Sequence, residues 1–221
     1  DILGELRTYF QSIAGIEGPK SIDTYDFIVL KNEKRLLELQ SWEGFAKLNA
    51  FIENHTSFLG MSNLFELSNE LLRDNKSALN AEKPLISHGD LCFANIIMDE
   101  DERKLVFIDP RGGAINESYR TPYYDLAKLC HSLLGGYDHI INNVAEIGLD
   151  DDMHANVKFD QNLLEFRGIF KSFVESLGFE YNLVRVVEIS LFLSMLPLHV
   201  DSTKKINMLA LRAGESVSYT H

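Results

Sequence analysis

The chain has 221 residues and a formal charge of −12, from 21 basic and 33 acidic side chains. Hydrophobic residues make up 45% and charged residues 24%, a globular composition that excludes wholesale disorder and collagen-like or low-complexity architecture. The acidity is spread along the chain without a basic arm or an acidic tail, which argues against a nucleic-acid partner. It reads either as a solvated surface or as a cleft for a cationic substrate.

Hydrophobic periodicity predicts a first helix over residues 2–14, with Ile2, Leu3, Leu6, Phe10 and Ile13 on one face and Gly15 and Gly18-Pro19 ending it. Tyr25 to Leu30 reads as a short strand. A long helix is expected over 33–54, and Ser62 is placed to cap another over 63–77. Residues 1–84 are therefore expected to be mainly helical. The texture changes at Leu85. Ile96-Ile97-Met98 and Leu105 to Ile108, joined by the charged segment 99–104, predict a hairpin with an exposed acidic turn. Pro122 starts a helix that Gly135-Gly136 terminates. Three further helices are expected. Leu163, Phe166, Phe170, Phe173 and Leu177 mark the first, the apolar run 183–196 forms the second, and Ser202-Thr203 caps the third. There is no internal repeat and no dividing linker. The expected fold class is mainly α with a small β-hairpin (α+β), as one domain over 1–221.

Cys92 and Cys130 sit in apolar company and read as buried thiols in a reducing compartment. Arg185, Glu188 and Pro197 make the most apolar stretch a poor membrane span. The N-terminal residues carry no basic leader. The expected localisation is cytoplasmic. Because the chain opens without a methionine and inside a helix, it reads as a fragment.

The stretch that carries chemistry is Ser87-His88-Gly89-Asp90-Leu91-Cys92-Phe93-Ala94-Asn95, followed after the hairpin by Ile108-Asp109-Pro110-Arg111-Gly112-Gly113. It resembles the protein-kinase catalytic loop H-R-D-L-x-x-x-N and its metal-binding Asp, with Gly89 in place of the Arg. Phosphoryl transfer asks the protein mainly for positioning and charge neutralisation. Asp90 suits the acceptor hydroxyl. Asp109 is a hard oxygen ligand for Mg²⁺, and Asn95 adds a neutral one. His88 fits a structural hydrogen bond better than a base. H-x-D alone is a weak signal, shared with hydrolases and ordinary turns, and a capped turn before a hairpin is the plainest alternative. The remaining histidines show no ligand pairing, which disfavours a metal-dependent hydrolase.

More closely, H-G-D resembles the aminoglycoside phosphotransferase and choline kinase-like family. Tyr124-Asp125-Leu126-Ala127 is similar to that family's post-loop helix start. The resemblance implies the C-terminal helical lobe of a protein-kinase-like fold. It implies Asp90 as catalytic base, Asn95 and Asp109 as Mg²⁺ ligands, and Asp125 as a buttress of the loop. A first-turn Asp favoured by the helix dipole accounts for Asp125 equally well. Arg111 departs from the common pattern and either touches phosphate or pairs with a carboxylate. ATP and Mg²⁺ are the implied cofactors. The implied acceptor is a hydroxyl of a sugar, aminoglycoside or amino-alcohol.

Before His88 there is no G-x-G-x-x-G and no P-loop. Lys31 is the only lysine on an expected strand, and reads as exposed at its end. An N-terminal nucleotide lobe is thus expected to be missing: removed, lost, or supplied by a partner chain. The alternatives are an inactive kinase-like binding or scaffold module, and a phosphotransferase-like protein of surface-polysaccharide biosynthesis. The latter is similar in Asp109-Pro110-Arg111-Gly112 and Leu196-Pro197-Leu198-His199. The substrate pocket is expected after Gly136, where Asp138, Glu146, Asp150, Asp151 and Asp152 either greet a cation or form a solvated loop.

Overall fold

A computed structural model describes residues 2–19, 23–99, 101–111, 118–160 and 162–218. Helix α1 (Ile2–Ile13) forms as predicted and buries Leu6, Phe10 and Ile13, while Ile2, at the helix start, stays exposed and Leu3 is half-buried. The strand expected at Tyr25 to Leu30 is instead the start of helix α2 (Thr24–Gln40). Asp23 caps it by accepting the Asp26 N–H at 2.9 Å. Thr24, Ile28 and Asn32 are buried four residues apart. That helical spacing, rather than the alternation of a strand, meets the core.

The single helix expected over 33–54 is two, because α2 stops at Gln40 and α3 runs Phe45–His55. Trp42 folds its ring over Gly44, where a Cβ would collide with it. Helix α4 (Met61–Asp74) takes Gly60 as its N-cap, so Ser62 lies inside the helix and caps nothing. A short helix α5 (Lys76–Ala81) follows.

Strand β1 (Leu85–Ile86) pairs antiparallel with β4 (Tyr119–Arg120). The Ile86 N–H also donates to the Ile16 carbonyl at 2.9 Å. These bonds close the base of the loop that carries the motif. Within it, β2 (Ile96–Asp99) and β3 (Lys104–Phe107) form the expected hairpin in register Ile96↔Phe107 and Asp99↔Lys104. Its turn is organised by Asp99, whose carboxylate accepts the Asp101 and Glu102 N–H groups at 3.0 Å.

Helix α6 (Pro122–Leu133) is buried on nearly every face. After it come α7 (Tyr137–Ile141) and a second hairpin, β5 (Ala145–Leu149) with β6 (Ala155–Phe159), where no strands were expected. Helices α8 (Arg167–Ser176), α9 (Tyr181–Met195) and α10 (Thr203–Ser218) complete the chain. Ser202 accepts the Lys205 N–H at 3.4 Å, the expected capping contact at the start of α10. The protein is therefore mainly helical with small antiparallel sheets.

Helix α9 sits at the centre, packed between α6 and α10 and against α2 and α4. By length and hydropathy, Tyr181–His199 is apolar enough to cross a membrane, yet 78% of that stretch is buried inside the protein. Its charged residues are buried too. Arg185 pairs with Glu188 and also donates to Ser216 Oγ at 3.3 Å and Cys130 Sγ at 3.4 Å. Both cysteines are free and buried.

Gly136, at φ +68°, turns the chain from α6 into α7, and a Cβ there would meet the Phe159 ring and Leu163. Gly136→Ala is expected to cost about 2–3 kcal/mol, from left-handed strain and overpacking together. A thermal melt reads it as a drop of several degrees.

Candidate active site

The motif loop is held from below by one carboxylate. Asp125, only 1% exposed on the first turn of α6, accepts the His88 N–H and the Gly89 N–H, each at 2.9 Å. The Tyr9 hydroxyl, on α1, donates to Asp125 Oδ2 at 3.1 Å and itself accepts from the His88 N–H at 3.1 Å. Burial pushes the Asp125 carboxyl up, against these donors, which favour its ionised form. The Tyr9 phenol is pushed up as well, by burial first and then by Asp125.

His88 is 5% exposed and fastens the loop to the strand beside it. Its Nε2 meets the Ile108 carbonyl at 2.9 Å, while Nδ1 accepts the Asp90 N–H at 3.3 Å. That pair of bonds puts the ring proton on Nε2 and occupies both nitrogens, leaving His88 no free atom for proton transfer. Gly89 follows at φ +74°, and a Cβ there would stand 3.2 Å from the Arg111 Cβ. Gly at this position thus answers both a left-handed backbone and a close approach. Above it, the Arg111 N–H donates to the His88 carbonyl at 2.8 Å.

Asp90 stands at the apex with both oxygens engaged. Lys128 Nζ lies 2.9 Å from Oδ1 and Arg111 Nε 3.2 Å from Oδ2. Burial would raise the Asp90 pKa, but the two cations outweigh it and hold the carboxyl below its ordinary value. Asn95 donates its amide N–H to the Asp90 carbonyl at 2.8 Å, which leaves its Oδ1 as an acceptor. The Ile108 N–H bonds to the Asn95 carbonyl at 3.0 Å, so Asp109 comes next to it. Asp109 adopts φ +57°, an uncommon conformation for a side chain other than glycine, one that turns the chain at this point. Among the described residues its carboxylate makes no hydrogen bond and no ion pair.

His88, Asp90, Asn95, Asp109, Arg111 and Asp125 are thus brought together, and Arg111 takes its carboxylate alternative. Gly112 and Gly113 lie outside the described residues. No group of three or more His, Cys, Asp or Glu side chains converges among the described residues. A cation here would rest on Asn95 Oδ1 and the Asp109 carboxylate. These are hard oxygen donors of the kind Mg²⁺ takes together with water and phosphate oxygens.

Three residues at the site carry no signal in the motif. Lys128 is one of them: it is the lone lysine on α6, a helix buried on nearly every face, and that contrast marks it. Tyr9 comes from α1, more than a hundred residues away along the chain from Asp125. Ser132 accepts the Phe93 N–H at 3.1 Å and holds the far arm of the loop.

The acidic residues expected to greet a cation divide. Asp138 lies near enough to Cys92 to help raise that thiol, after burial and Asp90. Asp150 organises the β5–β6 turn instead, accepting the Asp152 N–H at 3.1 Å and the His154 N–H at 2.8 Å. Asp151, Asp152 and Glu146 are exposed. The cavity beside that turn has a volume of about 750 Å³ and is lined by Phe58, Asp150, Tyr181, Arg212 and Glu215 among others. It shares no residue with the Asp90 loop.

Comparison with protein-family models, with curated proteins and with solved structures finds no match to this chain.

Proposed function

We propose that the protein is an ATP- and Mg²⁺-dependent phosphotransferase acting on a hydroxyl of a small molecule such as a sugar, aminoglycoside or amino-alcohol. On this reading it is the C-terminal lobe of a protein-kinase-like fold of the aminoglycoside phosphotransferase type. It acts in the cytoplasm, and a lobe outside these 221 residues holds the nucleotide's base and ribose. One observation carries the reading. Asp90 is pinned on a loop that Asp125 clamps, with Asn95 Oδ1 and the Asp109 carboxylate beside it unengaged among the described residues.

Each residue then has a task. Asn95 and Asp109 would hold Mg²⁺, which would supply charge neutralisation at the phosphate oxygens. Asp90 accepts a hydrogen bond from the acceptor hydroxyl and orients its oxygen toward the phosphorus. Its depressed basicity is tolerable because a loose, largely dissociative transition state asks little of a base. A carboxylate has about four lone-pair sites, so Lys128 and Arg111 leave room for the hydroxyl. Asp125, His88 and Tyr9 fix the loop and touch no substrate.

The test is transfer from ATP, in the full natural chain, to a panel of sugars, aminoglycosides and amino-alcohols. Turnover that disappears on chelating Mg²⁺ is expected. Absence of transfer across the panel, with MgATP binding intact by calorimetry, would favour the binding-module reading instead.

A single substitution separates the metal role from the loop role. Asp109→Asn is expected to raise the Mg²⁺ concentration needed for half-maximal rate at least tenfold. The melting temperature should hold within a degree or two, since the Asp109 carboxylate makes no hydrogen bond or ion pair among the described residues.

A further inference from the structure

Lys31, expected at an exposed strand end, lies half-buried on α2. Its ammonium donates to the Tyr124 hydroxyl at 3.0 Å and stands 5.5 Å from the centroid of that ring. Among the described residues it makes no ion pair. Tyr124 and Lys128 are four residues apart on α6 and so share one face, a turn apart. Lys128 reaches one oxygen of Asp90 and Arg111 the other. Two cations therefore meet one carboxylate, and a third, Lys31, lies close enough to both for their charges to be felt, in a chain whose net charge is −12.

The arrangement is costly as it stands. A cation drawn from water with only a neutral phenol for partner forfeits hydration without a compensating charge. Burial lowers the Lys31 pKa, and Lys128 and Arg111 lower it further. Burial alone would raise the Tyr124 phenol, yet Lys31 and Lys128 hold it below its ordinary value. An anion with several oxygens would relieve the repulsion between the lysines and give the Lys31 ammonium its missing counter-charge. Lysines are point-charge partners suited to phosphate, and the Tyr124 hydroxyl adds a donor between them.

We propose that Lys31, Tyr124 and Lys128 form a binding site for a phosphate group beside Asp90. The choice of phosphate among anions rests on the phosphotransferase reading. The group has two sources: the terminal phosphate of the donor nucleotide, or a phosphate already carried by the acceptor.

Inorganic phosphate titrated into the full chain, at ionic strength held constant with chloride, tests the site by calorimetry. Saturable binding is expected, weakened at least tenfold in Lys31→Met and in Lys128→Met and less in Tyr124→Phe. Lys34→Met should bind as the unmutated protein does, because that side chain is 77% exposed. No saturable binding, or equal affinity in the Lys31→Met and Lys34→Met proteins, overturns the proposal. Should a variant fail to fold, the unmutated protein still decides. Phosphate should slow acetylation of Lys31 and leave Lys34 unaffected, and equal rates with and without phosphate count against the site. Competition with MgATP assigns the site to the donor phosphate, and simultaneous binding assigns it to the acceptor. Phosphate binding without transfer sinks the phosphotransferase reading alone. Transfer without phosphate binding at Lys31 sinks this one alone.

Discussion

Asp125→Ala is expected to cost about 3–5 kcal/mol of stability, the range for breaking a buried, hydrogen-bonded charged network. The substitution strips a partner from the His88 N–H, the Gly89 N–H and the Tyr9 hydroxyl together. Water reaches none of them easily, since Asp125 is 1% exposed. The loop loses its floor, and α1 loses its tie to α6. Asp125→Asn is expected to fare only partly better. It keeps the shape but supplies one acceptor oxygen for donors that need two, and turns an N–H toward one of them. Chemical denaturation measures both effects. A loss under about 1 kcal/mol for Asp125→Ala would show that the dipole of α6, rather than the clamp, explains this residue.

The second large effect falls on rate. Asp90→Asn is expected to lower transfer by about 10²–10⁴-fold, the usual worth of a positioned acid–base group. The amide keeps the side chain's shape, so the melting temperature guards against a trivial explanation. An Asp90→Asn variant that turns over normally would remove Asp90 from the chemistry. The pH profile adds a readout that a purely structural residue would not move. With its pKa held below the ordinary carboxyl value, Asp90 stays ionised through the neutral range. The sign for stability follows. A depressed pKa in the fold contributes stability above the unfolded carboxyl value, and that contribution fades as pH falls through the folded one. Lys128→Met removes one of the two opposing cations and leaves burial in place. The acid limb of the rate should therefore move to higher pH in that variant.

The candidate site was largely legible in the chain. His88, Asp90, Asn95 and Asp109 stand at fixed offsets within one loop and hairpin, and local geometry follows from short-range spacing. The hairpin itself was legible for the same reason, since alternation and a charged turn set its register. Helix periodicity likewise found α1, α6, α9 and α10.

What the sequence alone misread were segments whose local preference is overruled by packing. Tyr25 to Leu30 is rich in β-branched and aromatic residues, yet Ile28 and Asn32 must face the core from one side of α2, and that geometry is helical. The β5–β6 hairpin is a different case: residues 145–149 and 155–159 each alternate apolar with polar or small residues around the turn that Asp150 folds, so its signal was present in the sequence. The length, the composition and the motif offsets determined the candidate chemistry, the acidic balance and the mainly helical class. Only tertiary structure decided that Tyr9 would close the Asp125 network from the far end of the chain. The same holds for Lys31 on α2, which meets Tyr124 on α6 one turn from the Lys128 that reaches Asp90. Such contacts join residues tens of positions or more apart, and no periodicity encodes them. They exist because α9 draws α2, α6 and α10 around a single core.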